Sequence, residues 1–187
     1  MIYLVVGTQN SGKSALAENL AMNTQDVVRV YLATMKIYDD AGKERVQKHR
    51  KQREGKGFET LEQEYNISDV IDKIQNPRET TVLLECVSNL VGNELYENRS
   101  RMGISHYIGT GSEALDRRNK LAEEIAGEIR ALATSVHNTV IVTNEYPQED
   151  KGYDEETRVY VQLLSMVNER IKEFSDKIYD LRKERTN

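Results

Sequence analysis

One cysteine, Cys86, stands in a chain of 187 residues. A single thiol makes no internal disulfide and no thiolate zinc cage, so neither kind of staple is available. No apolar run approaches the ~20 residues needed to cross a bilayer. The opening Met1-Ile2-Tyr3-Leu4-Val5-Val6 has no basic segment before its short apolar run, unlike a signal peptide. There is no basic excess: 26 Lys and Arg against 31 Asp and Glu leave a net charge of -5, which argues against a nucleic-acid binder. The ten tyrosines are dispersed and form no stacking ladder. Internal repeats and low-complexity blocks are also missing. What remains is the expectation of a single domain over 1–187, in a reducing cytoplasm and without membrane insertion. A chain of this length buries roughly 70% of its unfolded surface, so it folds without staples.

The chain alternates short apolar runs with helical patterns. Ile2–Val6, Val27–Ala33, Thr80–Glu85 and Thr139–Thr143 read as strands buried on both faces. Helices are predicted over about Lys13–Met22, Ala41–Arg53, Ser68–Ile74, Val87–Glu97, Glu113–Thr134 and Glu155–Phe174, followed by a weak strand at Lys177–Leu181. The helix over 113–134 is the clearest, with Leu115, Ala122, Ile125, Ile129 and Leu132 spaced near 3.6 residues. Strands alternating with such helices predict an α/β fold whose sheet is mainly parallel and flanked by helices. Asn98–Ser112 is the one long Gly/Ser-rich stretch and is expected to be a mobile loop.

Gly7-Thr8-Gln9-Asn10-Ser11-Gly12-Lys13-Ser14 fits the phosphate-loop pattern G-x-x-x-x-G-K-[ST] without a mismatch, between a strand and a helix. A chance glycine-rich turn is the bland reading, and the full pattern in this context disfavours it. Its glycines let backbone N–H groups turn toward phosphate oxygens, and the helix N-terminus adds positive charge there. Lys13 then reaches the β- and γ-phosphates, while the Ser14 hydroxyl binds Mg²⁺. Glu85, at the end of its strand, is the candidate acid for the same ion. Glu145, after Val142-Thr143-Asn144, ends another strand as a second candidate.

There are three histidines. His137 reads as a surface residue, and His106 falls in the long loop. His49 differs, because Lys43–Lys56 holds seven Lys and Arg against two Glu. That run is either a solvated basic helix face or a cluster that draws in a triphosphate for attack by imidazole.

The residues around it resemble a family. The phosphate loop, Tyr31-Leu32-Ala33-Thr34, Asp39-Asp40, and Arg45-Val46-Gln47-Lys48-His49-Arg50 with Arg53 are similar to the bifunctional adenosylcobinamide kinase/adenosylcobinamide-phosphate guanylyltransferases of cobalamin synthesis. Leu83-Leu84-Glu85-Cys86 with Asn89, Val142-Thr143-Asn144-Glu145 and Val167-Asn168-Glu169-Arg170 are further matching blocks, in the same order. The resemblance implies a P-loop NTPase-type, RecA-like domain with two activities. The enzyme phosphorylates adenosylcobinamide, then transfers GMP from GTP to the product through a guanylylated histidine, which corresponds to His49. Catalytic roles are implied for His49 and Lys13. Nucleotide contacts are implied for Gly7, Thr8, Gln9, Asn10, Ser11, Gly12, Lys13, Ser14, Ala33, Thr34, Arg50, Lys51, Gln52, Arg53, Glu62 and Glu85, and metal contacts for Ser14 and Glu85. GTP or ATP and a corrinoid are the implied substrates, Mg²⁺ the implied ion, and a homo-oligomer, a trimer, the implied assembly.

The chain departs from the family pattern in several places. Thr8 stands for a glycine, Asn10 for an arginine, and Ala41-Gly42 for an acidic-methionine pair. Tyr146–Gly152 replaces a Gly-rich segment, and Glu155 and Gln162 replace an arginine and an aspartate. The family's closing strand and Ser-Gly-containing end are expected to be missing. These departures gather on the kinase and corrinoid side and favour retention of the guanylyl half. Two rival readings stay open: a plain P-loop small-molecule kinase, and a non-catalytic regulator that binds GTP or ATP.

Overall fold

The computed structural model describes residues 1–98 and 101–182, with the side chains of residues 41, 45, 48, 49 and 52 outside the description. Among the described residues six parallel strands form one sheet: β1 Ile2–Gly7, β2 Val28–Ala33, β3 Phe58–Glu62, β4 Thr80–Glu85, β5 Asn138–Asn144 and β6 Lys177–Leu181. Their spatial order is β3-β2-β4-β5-β1-β6. The helices α1 Lys13–Met22, α2 Asp40–Arg53, α3 Val87–Tyr96, α4 Ser112–Ser135 and α5 Glu155–Phe174 connect them together with 3₁₀ turns.

Strand alternation sorts the core into two layers. Leu4, Val6, Leu32, Val82, Leu84 and Ile141 face α3, α4 and α5, where Leu90, Ile125, Ile129, Leu163 and Val167 cover them. Val5, Tyr31, Leu83, Val140 and Val142 face the other way, onto Ala17 and Ala21 of α1. Each fully buried Leu, Ile or Val contributes roughly 1.5–3 kcal/mol. The central strands β4 and β5 are buried nearly throughout, which is why their apolar runs are legible in sequence.

Two strands were harder to read. β3, with Glu59 and Glu62 in its five residues, is an exposed edge, and sequence periodicity does not reveal it. β6, the opposite edge, has the bounds of the weak strand expected at Lys177–Leu181; it pairs with β1 from Tyr3↔Lys177 to Gly7↔Leu181, so the family's closing strand, expected to be missing, is present. Arg182 is the last described residue, and 183–187 lie outside the description. Leu115 is 38% exposed rather than in the α4 stripe. Ala114 and Arg118 take the inward positions that continue the period of Leu121, Ile125 and Ile129.

The stretch expected to be a mobile loop is docked onto α4 over its described part. Arg101 bonds Glu94 at 2.5 Å and Glu124 at 2.7 Å, and Arg118 donates to the carbonyls of Tyr107 at 2.6 Å and Gly109 at 3.0 Å. Loop length and composition carry no sign of these arginine anchors. Residues 99 and 100 lie outside the description.

Candidate functional site

In open parallel sheets, ligands bind beyond the carboxyl ends of the strands. Gly7 ends β1 there, and a Cβ on it would collide with Ser11 Oγ and press on Lys13 at 3.0 Å, so only glycine lets the loop fold back this closely. Asn10 has φ +59° and Gly12 φ +88°, left-handed positions that aim successive N–H groups into one concavity. Asn tolerates that region better than most side chains, which suits it to position 10. Lys13 Nζ donates to the Thr8 carbonyl at 2.5 Å. Burial lowers the Lys13 pKa, while neighbouring Cys86 and Glu85 pull it back up.

Ser14 Oγ donates to Glu85 Oε1 at 2.6 Å. The two residues are 71 apart in sequence and meet because α1 leaves the phosphate loop over the ends of the central strands. Glu85 Oε2 and Ser11 Oγ are buried without a hydrogen-bond partner among the described residues. Burial pushes the Glu85 carboxyl above the ordinary glutamate value, against the Ser14 hydrogen bond and the Lys13 charge. Two adjacent hard oxygens, one carboxylate atom free, fit an ion such as Mg²⁺, which takes only one or two protein ligands beside phosphates. Among the described residues no group of three or more His, Cys, Asp or Glu is arranged to hold a metal.

Ala33 and Thr34 fix the end of β4. Thr34 N–H donates to the Glu85 carbonyl at 3.1 Å. The Thr34 hydroxyl donates to the Cys86 carbonyl and accepts from Cys86 N–H, both at 2.8 Å. Thr34 is wholly buried, so its side chain holds the Glu85-Cys86 segment from beneath. Asn93 Nδ2 bonds the carbonyls of Thr34 and Glu64, tying this floor to α3.

A cavity of about 250 Å³ opens beside Glu85, under α2. Ala33, Arg50, Arg53, Glu62 and Glu85, five residues of the predicted set, line it together. The Arg53 guanidinium lies 3.4 Å over the Tyr31 ring, and its Nη1 is buried without a hydrogen-bond partner among the described residues. Burial raises the Tyr31 phenol well above its ordinary pKa, so it stays neutral beneath the cation. Arg50 bonds Glu62 at 2.5 Å on the exposed rim. Asp39 starts α2, accepting from Gly42 N–H at 2.7 Å. Lys51 on that helix is exposed, and the side chains of His49 and Gln52 lie outside the description.

A second cavity of about 700 Å³ adjoins the first, between α2, α3 and α5, lined among others by Tyr38, Tyr96, Tyr160, Asn89 and Asn144. Sequence reasoning missed it, along with Tyr31 as a platform, Thr60 of β3 and Glu64 just after that strand. Dispersed tyrosines give no local signal of a shared wall. Glu145, whose N–H bonds the Gly7 carbonyl at 3.2 Å, pairs its carboxylate with Arg182 at 2.7 Å and approaches Lys172 at 3.8 Å, so its charge is met on the β6 side. His137 lies at the opposite, amino edge of the sheet. Its ring is 58% exposed, and Nδ1 is 2.5 Å from the buried Asp26 carboxylate, so the surface residue also closes a buried network.

A family model described as cobinamide kinase / cobinamide phosphate guanyltransferase matches residues 3–182. The chain is 32% identical over 149 residues to the bifunctional adenosylcobalamin biosynthesis protein CobU of Escherichia coli (strain K12), spanning 78% of this chain and 75% of the relative. It is 28% identical over 180 residues to the protein of the same description from Salmonella typhimurium (strain LT2), spanning 96% and 94%.

Proposed function

The chain belongs to the cobinamide kinase / cobinamide phosphate guanyltransferase family, and from that premise we propose that it carries out both reactions on an adenosylcobinamide substrate. The observation that carries the reading is the Ser14–Glu85 hydrogen bond. It joins the phosphate loop to the cavity under α2, the helix that bears His49.

In this reading the phosphate loop and Lys13 take the β- and γ-phosphates, and the nucleoside enters the cavity of Arg53, Glu62 and Glu85. Mg²⁺, held by Ser14 and Glu85, would neutralise charge between the two phosphates. Arg53 supplies a cation already stacked and desolvated, with a donor that no described residue engages and that suits a phosphate oxygen. The larger cavity, walled by tyrosines and asparagines, receives the corrinoid. In the kinase step the substrate hydroxyl oxygen attacks the γ-phosphorus, the bond to the β-phosphate oxygen breaks, and the hydroxyl proton goes to solvent. In the transferase step a His49 nitrogen attacks the α-phosphorus of GTP, pyrophosphate leaves, and the ring loses its other N–H proton. The resulting P–N bond keeps the guanylyl group reactive, so one hard displacement becomes two easier ones. A homo-oligomer, a trimer by the resemblance, and a cytoplasmic location belong to the same reading; sedimentation equilibrium tests the trimer.

Incubation with GTP labelled on the α-phosphate tests the chemistry. Acid-labile label is expected on the wild-type protein and none on His49→Ala, with pyrophosphate released in equal amount. A wild type that binds GTP but takes no label refutes the transferase. Transfer of only a γ-phosphoryl to cobinamide identifies a plain kinase, and silence in both assays identifies a nucleotide-binding regulator. No helix among the described residues is long and apolar enough to cross a membrane.

A further inference from the structure

The two cavities meet at the carboxyl ends of β2 and β4. Among the described residues Met35, Lys36, Cys86 and Asn89 line both, and Lys36 is the only cation of the four. Its ammonium lies 3.1 Å from Glu97, on the wall of the larger cavity, and 4.0 Å from Glu64, on the wall of the smaller. The Tyr38 ring lies 5.6 Å from it. These contacts suspend one positive charge at the opening between the two spaces. An ammonium has three donors; Glu97 takes one, and Glu64 at 4.0 Å is too far for a second hydrogen bond.

The inference that follows rests on the function proposed above. With the nucleotide in the smaller cavity and the corrinoid in the larger, the transferred group must cross this opening. We infer that Lys36 binds the phosphate monoester of the acceptor and presents its oxygen to the guanylylated histidine. In that step the acceptor oxygen forms a new P–O bond to the guanylyl phosphorus. The P–N bond breaks, its electron pair returns to the imidazole, and the ring takes one proton from solvent. Two phosphoryl groups repel as they approach, and a fixed ammonium between them lowers that repulsion where it is greatest. The two carboxylates fix the position of the ammonium, and they also raise the cost of losing it, because they would then face the phosphate unpaired. The acceptor of the kinase step has no phosphate, so Lys36 acts selectively in the second reaction.

Lys36→Gln and Lys36→Arg in the full-length protein test this with three readouts. They are self-guanylylation from α-labelled GTP, chase of the guanylylated protein with cobinamide phosphate, and kinase KM for cobinamide. Lys36→Gln is expected to self-guanylylate at the wild-type rate, which also shows that it folds. Its KM for cobinamide phosphate in the chase should rise about tenfold to a hundredfold, the range for a lost hydrogen bond to a charged group. Lys36→Arg should recover most of this, and the KM for cobinamide should stay near wild type. Slowed self-guanylylation, an equal rise for both acceptors, or an unchanged chase would overturn the assignment. A wild type that takes no label from GTP sinks the proposed function itself, whereas a labelled wild type with a normal Lys36→Gln chase rejects Lys36 alone.

Discussion

Thr34→Val separates a residue that supports the site from one that touches the ligand. The Thr34 hydroxyl makes two hydrogen bonds of 2.8 Å, to Cys86 N–H and to the Cys86 carbonyl, and the residue has no exposed surface. Valine has nearly the same shape, so the substitution leaves no cavity but takes the partner from Cys86 N–H, while the Cys86 carbonyl keeps only the Leu90 N–H, at 3.1 Å. The lost bond to the carbonyl is worth ~1 kcal/mol net and the buried N–H left unpaired costs ~1–3 kcal/mol, so the loss should be about 2–4 kcal/mol. For a domain of this size that lowers Tm by about 5–15 °C. Thr34→Ser keeps the hydroxyl and loses one buried methyl, costing ~1 kcal/mol. Thermal unfolding of ligand-free protein, followed by circular dichroism, measures both variants. If Thr34→Val loses less than Thr34→Ser, the hydroxyl does not hold the Glu85-Cys86 segment. A Thr34→Val protein that unfolds as wild type yet no longer binds nucleotide would instead make Thr34 a direct ligand contact.

Three further outcomes follow from the same geometry. Burial raises the folded-state pKa of Glu85, so its contribution to stability is present at low pH and is lost as pH climbs through the ordinary glutamate value of ~4.3 and beyond. Ligand-free Glu85→Gln should therefore melt above wild type at pH 8 and lose that advantage near pH 4, while Mg²⁺ affinity with nucleotide, read by calorimetry, falls about 10–100-fold. For Asp26 the sign is opposite. Burial alone would raise its carboxyl pKa, but hydrogen bonds from Thr81, His137 and Asn138 outweigh burial and hold it below the ordinary aspartate value. Its stabilisation is present above ~3.9 and is lost as pH falls through the lower folded value, so Asp26→Asn should flatten the acid limb of a Tm–pH curve; an unchanged limb refutes the network. Arg101→Leu removes the cation paired with Glu94, whose side chain is 1% exposed, and should cost ~3–5 kcal/mol in urea unfolding. Removing Glu94 and Arg101 together should cost less than the sum, since neither charge is then stranded, and strict additivity would refute a coupled pair.

The order of strands and helices was legible because β4, β5 and β1 are buried on both faces and had to be continuous apolar runs. β3 escaped because an edge strand is free to carry Glu59 and Glu62. The phosphate loop was legible for a related reason: Gly7, Asn10, Gly12 and Lys13 act within eight residues, and their backbone requirements leave a local signature. Glu145 resembled a metal acid in sequence, since a carboxylate at a strand end looks the same whether its partner is an ion or Arg182. Glu85, at the end of its own strand, instead lies within hydrogen-bond reach of Ser14.

The sequence by itself determined the α/β class, the phosphate loop, the acid that meets it and the basic helix bearing His49, because each depends on spacing within one element or at its end. Only the tertiary structure decided that Arg53 stacks on Tyr31, that Thr34 turns inward to Cys86, and that Lys36 stands between Glu64 and Glu97. Those residues come together because β2 lies beside β4, with β3 and the whole of α2 looped out between them. A parallel sheet makes neighbours of residues dozens of positions apart, and no local pattern of composition or period records which ones they are.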